Sequence, residues 1–281
     1  MKTIIREGNF NAPLVNIFNT VVFTADKLKV AIYPNRLSMG MASASALVSE
    51  IKNVARRKKE VNIMFASAPS QNEVLDALIA YRDVPWNKMN CFHMDEYLGL
   101  DEKHPQSFRR FLLEKVFTKI QPKSLHLIKG EAKNPEEECR RYARLLENYP
   151  LDILQGGIGL VPHIAFNDPE NADFNDSYLV KIVKLQKESR IQQVKDGCFR
   201  SLKEVPKSAI TVTVPPLIKA KYVSLVVPSA QKARAVEMTI FNKIDSFTPA
   251  AIMRVHNNAI MFLEPDSSAL LKKIAIVRHI L

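Results

Sequence analysis

A few polar residues stand at the ends of short apolar runs, where chemistry is most easily built. Asp95 and Glu96 directly follow the run Met89–Met94. His163 follows the run around Leu151, Ile153 and Leu154 and a glycine turn, Gly156-Gly157-Ile158-Gly159, with Asp168 shortly after it. An imidazole titrates near neutral pH, and a carboxylate beside it can orient it or exchange a proton with the reacting group. Glycines at a strand end let the backbone approach a ligand and adopt positive φ. The same residues also suit an ordinary strand-to-loop turn with one surface histidine. Adjacent acids on a continuing strand point to opposite faces, so only one of Asp95 and Glu96 serves a given face.

Ser67 and Ser70 lie in the turn between the apolar run Val61–Ala66 and a helical pattern that starts near Gln71. Free amides at a helix start favour an anion, and serine hydroxyls add donors; a plain helix cap by Ser70 explains the same residue. Lys232 falls in the first turn of a helical stretch that follows Pro228. A cation there opposes the helix dipole, and a nearby anion would account for it.

The elements that must position these groups alternate. Strands are expected at Leu28–Tyr33, Val61–Ala66, Met89–Met94, around Leu151–Leu154, and at Tyr178–Leu185, Ala209–Val214, Tyr222–Val227 and Ala259–Leu263. Apolar residues at helical spacing predict helices over about Arg36–Lys58, Gln71–Arg82, Ser107–Lys119, Asn134–Asn148 and from Lys232 to about Asn242, with a short one from Thr248 and a turn or two over 266–272. Residues 1–27 are expected to be irregular and to wrap the body, and Ser189–Phe199 reads as polar. Alternation of this kind predicts an α/β fold: a mostly parallel, doubly wound, Rossmann-like sheet flanked by helices, in one domain spanning residues 1–281. In such sheets ligands bind beyond the carboxyl ends of the strands, which is where the polar residues fall.

The composition narrows the function. The chain has 281 residues, 47% hydrophobic and 25% charged, ordinary for a soluble globular protein. No apolar run is long enough for a membrane span, and the first residues lack a signal-peptide core. Cys91, Cys139 and Cys198 show neither metal-ligand spacing nor a disulfide framework, which favours the cytoplasm. The formal charge of +11 comes from 40 Lys and Arg against 29 Asp and Glu. It suits an anionic small substrate or nucleic acid. The densest basic run, Arg56-Arg57-Lys58-Lys59, carries no interleaved aromatics and ends a helical pattern, so a solvated helix end is expected there instead of a nucleic-acid surface.

Three separated blocks resemble one family. HMDEYLGLDEKHPQSFRRFL is similar to the MDEY block of glucosamine-6-phosphate deaminases, GGIG…HIAFNDP to their histidine block, and SFTPAAIMRVHNNAIMFLEPDSS to their C-terminal block. The likeness runs from about residue 30 to 270. Continuation of the histidine motif as HIAFN resembles the deaminases more than the related 6-phosphogluconolactonases. What the resemblance implies is an amino sugar phosphate isomerase–deaminase of deaminase/ribose-5-phosphate isomerase-like fold, yielding fructose 6-phosphate and ammonia, with no metal or organic cofactor. It implies a phosphorylated amino sugar as partner and a homo-oligomer. Carried over by position, Asp95 matches the proton-shuttling carboxylate and His163 the histidine of ring opening. Asp168 stands where the family usually has Glu and would orient that histidine. Lys232, Ser67 and Ser70 match phosphate contacts, Glu96 neighbours the base and is expected among the substrate contacts, and Arg190 lies in a segment that often supplies sugar or phosphate contacts.

One segment departs from the family. Where it has an acid or amide and then glycine before the histidine, this chain has Leu160-Val161-Pro162. Valine cannot hydrogen-bond the imidazole or the sugar, and proline fixes φ and removes a donor. If the family's glycine uses positive φ, the loop must be rebuilt. The alternatives are therefore a sugar-phosphate binder with weak or no turnover, or a 6-phosphogluconolactonase-like enzyme.

Overall fold

The computed structural model describes residues 20–273 except residue 196. The irregular wrap expected of residues 1–27 falls outside it up to residue 19. Beyond that the expectation is corrected: Val21–Ala25 is a strand, β1, hairpinned to β2 (Leu28–Ile32). Asp26 in their turn has φ of 50°, a left-handed conformation that aspartate tolerates better than most residues. The chain continues through α1 (Arg36–Arg57), β3 (Val61–Phe65), α2 (Asn72–Ala80), β4 (Met89–His93) and β5 (Asp95–Tyr97). Next come α3 (Phe108–Leu112), running into a π-helical turn, then β6 (Ser124–His126), α4 (Pro135–Asn148) and β7 (Ile153–Gly156). The last third holds β8 (Val180–Lys184), α5 (Lys187–Lys195), β9 (Ser208–Val212), α6 (Val214–Ile218), β10 (Tyr222–Val226), α7 (Ala233–Phe241) and β11 (Ala259–Leu263).

The main sheet has eight strands in the order β1-β2-β11-β10-β7-β3-β4-β6. β1 is antiparallel to β2 and every other pairing is parallel. Alternation along β3 sorts its side chains. Val61, Ile63 and Phe65 join the core under α1 and α2, whereas Met64 joins the core shared with α4 and α7. With both faces covered, the central strands are buried throughout, as a parallel sheet between helices requires. Local signals agree with the elements. Asn35 and Ser38 form a reciprocal capping box at the start of α1. Asn134 accepts from the Glu137 amide at 3.0 Å, with Pro135 in the first turn of α4.

Chain order reverses between β3 and β7. From β3 the strands proceed outward to β4 and β6; from β7 they proceed the other way, to β10 and β11. The loops that leave these two neighbours at their carboxyl ends diverge and open a crevice, the usual ligand position in such sheets. A second, antiparallel sheet, β5-β9-β8, stands beside this edge. Its own core is built of Tyr97, Val183, Leu185, Phe199, Val205 and Ala209.

Candidate active site

Four consecutive strands of the main sheet deliver the expected residues to one rim. Lys232 follows β10, His163 follows β7, Ser67 and Ser70 follow β3, and Asp95 follows β4. The small sheet ties two of these together. Asp95 pairs with Thr211 across β5 and β9, and Thr211 Oγ1 accepts the Phe166 amide at 3.1 Å, close after His163 in sequence. Asn167 donates to the Val212 carbonyl at 2.9 Å, and the Val212 amide donates to the Met94 carbonyl at 2.9 Å. The carboxylate strand and the imidazole loop are thus laced to the same two residues of β9.

Asp95 is 8% exposed. Among the described residues its carboxylate receives no hydrogen bond, so nothing offsets its desolvation. Burial, reinforced by the neighbouring Glu96 carboxylate, pushes its pKa up to about 8. Glu96 has the opposite surroundings. Fully buried, it accepts from the amides of Tyr97 at 2.9 Å, Phe108 at 3.1 Å and Arg109 at 2.9 Å and from the Ser107 hydroxyl at 2.8 Å. It caps α3 and faces the Arg109 guanidinium at 3.6 Å. The expectation that Glu96 contacts substrate is corrected: strand alternation turns it inward, and its oxygens are already engaged by the helix start.

His163 lies against Asp168, Nδ1 to Oδ1, and Asp168 is fully buried while the imidazole is 18% exposed. The contact sets a buried carboxylate against the Nδ1 edge of the ring. The opposite edge of the ring presses on Gly159: a Cβ there would overlap Nε2, Cε1 and Cδ2. Gly157 and Gly159 of this turn are needed for space. Positive φ, the other expectation, is not what they supply; among the described glycines it occurs at Gly99 and Gly197 instead, and the histidine loop has it at Ala165, with φ of 52°.

The Leu160–Pro162 departure is taken up in a short turn. The His163 amide donates to the Val161 carbonyl at 2.5 Å, closing an inverse γ-turn centred on Pro162, whose preferred φ of about −75° lies within proline's range. The Gly159 amide donates to the His163 carbonyl at 2.9 Å, and the Pro162 carbonyl accepts the Ala250 amide at 2.8 Å. The turn is compact and pinned, but it brings no polar side chain to the imidazole.

On the anion side, Ser67 is 7% exposed and its Oγ is buried without a partner among the described residues. A short 3₁₀ turn, Pro69–Gln71, precedes α2. Ser70 makes no helix cap; its Oγ accepts from Gln71 Nε2 at 2.9 Å. Lys232 ends the 3₁₀ turn Ala230–Lys232 that leads into α7, after Ser229 with φ of 83°. Arg190 is not brought to this rim by any contact seen here: its guanidinium donates to the carbonyls of Leu202 at 2.7 Å and Val205 at 2.8 Å, which ties α5 to the loop behind it. Among the described residues no helix is long and apolar enough to cross a membrane. None of their His, Cys, Asp and Glu side chains gather into a metal-binding group.

The family described as glucosamine-6-phosphate isomerases/6-phosphogluconolactonase matches residues 34–262. This chain belongs to that family. A glucosamine-6-phosphate deaminase of Listeria monocytogenes serotype 4a (strain HCC23) is 31% identical over 212 residues, covering 75% of this chain and 88% of the relative. One from Thermoanaerobacter sp. (strain X514) is 28% identical over 248 residues, 87% of this chain and 95% of its own length. Among solved structures, a monomeric glucosamine-6-phosphate deaminase superposes with a TM-score of 0.79 at 24% identity, covering 86% of this chain and 99% of the other. A 6-phosphogluconolactonase from Thermotoga maritima superposes with a TM-score of 0.68 at 18% identity, covering 84% and 98%. Both structural likenesses establish the mostly parallel, helix-flanked fold. The sequence kinship makes the chain a deaminase-like enzyme of this family.

Proposed function

We propose that the protein isomerises and deaminates an amino sugar 6-phosphate, with glucosamine 6-phosphate as the first candidate, to fructose 6-phosphate and ammonia. The observation that carries this reading is Asp95: a buried carboxylate that receives no hydrogen bond among the described residues, with its pKa raised to about 8, on the rim that also holds the His163–Asp168 pair. His163, held by Asp168, moves the proton that opens the sugar ring. Ionised Asp95 takes the proton from C2 of the open chain, which gives an enolamine, and returns it to C1. Water then adds at the resulting C2 iminium and ammonia leaves. The electron sink is the substrate's own carbonyl, so the chemistry asks for no metal or organic cofactor. The substrate's ammonium favours the ionised carboxylate that the apo site disfavours. Ser67, Ser70 and Lys232 hold the phosphate.

The test is ammonia release from glucosamine 6-phosphate, with Asp95→Asn as control. Turnover by the parent and none by the variant is expected; equal signals from both end the reading. A second reading, a sugar-phosphate binder with little turnover, is favoured by the apolar Leu160-Val161-Pro162 turn. Binding of the sugar phosphate with no ammonia released identifies it, and hydrolysis of 6-phosphogluconolactone identifies a lactonase. By family resemblance a cytoplasmic homo-oligomer acting on a small molecule, without nucleic acid or membrane, is expected. Light scattering on the purified protein measures its assembly.

A further inference from the structure

We propose that Gln71 is a positioning residue that locks three loops into one phosphate-holding geometry, an inference that rests on the sugar-phosphate reading above. Gln71 ends the 3₁₀ turn of the serine loop, yet it is only 1% exposed and its side chain points into the molecule. Its Nε2 donates to Ser70 Oγ at 2.9 Å and to the Val226 carbonyl at 3.2 Å. Its Oε1 accepts from Gln155 Nε2 at 2.6 Å. A carbonyl can only accept, so the Val226 contact sets which end of the Gln71 amide faces it. Gly157 leaves the room this requires: a Cβ there would stand 2.8 Å from Gln71 Nε2 and 3.0 Å from the Val226 carbonyl.

These contacts join three neighbouring strand ends. Ser70 and Gln71 belong to the loop after β3. Gln155 and Gly157 belong to the end of β7, and Val226 is the last residue of β10, just ahead of Ser229 and Lys232. One neutral amide therefore spans the crevice where chain order reverses. It also orients the Ser70 hydroxyl. Because Ser70 Oγ accepts from Gln71, its own hydrogen is directed elsewhere, and a donor is what a phosphate oxygen needs. Glutamate in this place would set a carboxylate oxygen against the Val226 carbonyl and add a negative charge beneath an anion. An apolar residue would leave Val226 and Gln155 without their partner in a buried site.

The experiment compares the full-length parent with Gln71→Met, Gln71→Glu and Gln155→Met. The measurements are calorimetric affinity for inorganic phosphate and for glucosamine 6-phosphate, kcat on the latter, and thermal midpoint. Gln71→Met is expected to weaken both ligands by about 10-fold while kcat stays within about 3-fold, because the groups that move protons are untouched. Gln71→Glu weakens them further, and Gln155→Met weakens them less. Folded variants with parental affinity overturn the inference, and so does a fall in kcat at unchanged affinity. If Gln71→Met does not fold, the graded affinities of the other two decide by the same criteria. A parent protein that binds neither ligand overturns the sugar-phosphate reading itself, a result distinct from variants that match a binding parent.

Discussion

Asp95 and Glu96 are consecutive carboxylates with opposite environments, and the difference is physical at every step. One points into the cleft, loses water and gains no donor; the other points into the start of α3 and gains four. Asp95→Asn is expected to lower kcat by about 10²- to 10⁴-fold, the range a positioned base supplies. For the parent enzyme, kcat/KM should climb with pH through about 8, where Asp95 is half ionised, and level off above it; a rate that falls across that range contradicts the assignment. Gly159→Ala tests the histidine directly. The added methyl needs the space the imidazole occupies, so the ring must leave Asp168. Activity should fall by at least about 100-fold while the protein remains folded by circular dichroism. Much of this was legible in the residues themselves. Strand alternation already allowed only one of the two acids on a given face, and the motif singled out His163 and Asp168. Gln71 was not legible, because two of its three partners, Gln155 and Val226, are distant in sequence.

The elements show why the site stays in place. α3 begins on the buried Glu96, which also faces Arg109, and Arg109 in turn pairs with Glu131 at 2.5 Å. The Tyr142 hydroxyl, from α4, donates to the His93 carbonyl at 2.7 Å and accepts its amide at 3.1 Å, fixing the end of β4 just before Asp95. Glu96→Ala removes one member of a buried charge pair and the cap together. It should cost about 3–5 kcal/mol in urea unfolding, with a proportionate loss of active protein. A change below about 1 kcal/mol would mean that the cap is replaced by water. Long amphipathic helices such as α1 and α4 were readable from spacing and caps. Short elements were not. β6 is too brief for periodicity to declare, β1 is a part-exposed edge strand with no fully buried position, α5 carries mostly polar residues, and α6 holds two prolines in its first turn.

At the scale of the molecule, the cleft lies where two sheets of different kind meet beside a reversal of chain order. The parallel sheet was predictable from strand–helix alternation. The antiparallel sheet was not, because its pairing joins segments far apart in sequence and depends on register. Its stability should carry the signature of Asp95. The folded pKa of about 8 lies above the ordinary value of 3.8, so between those limits the native state holds the extra proton. Stability therefore declines as pH rises from about 4 to 8, with a limiting slope of about 1.4 kcal/mol per pH unit for one proton. Asp95→Asn should flatten that decline in denaturant titrations and exceed the parent in stability at pH 8. An unchanged slope would place the proton elsewhere.

β5 contributes only the stretch Asp95–Tyr97 to its pairing with β9, and that brevity has an evolutionary edge. Inserting or deleting a single amino acid between Met94 and the strand would swap the faces of the two carboxylates, taking aspartate off the rim face and bringing glutamate onto it. Length in this junction should therefore be far less forgiving than identity, and a scan of one-residue indels there ought to extinguish catalysis where most conservative replacements merely dim it.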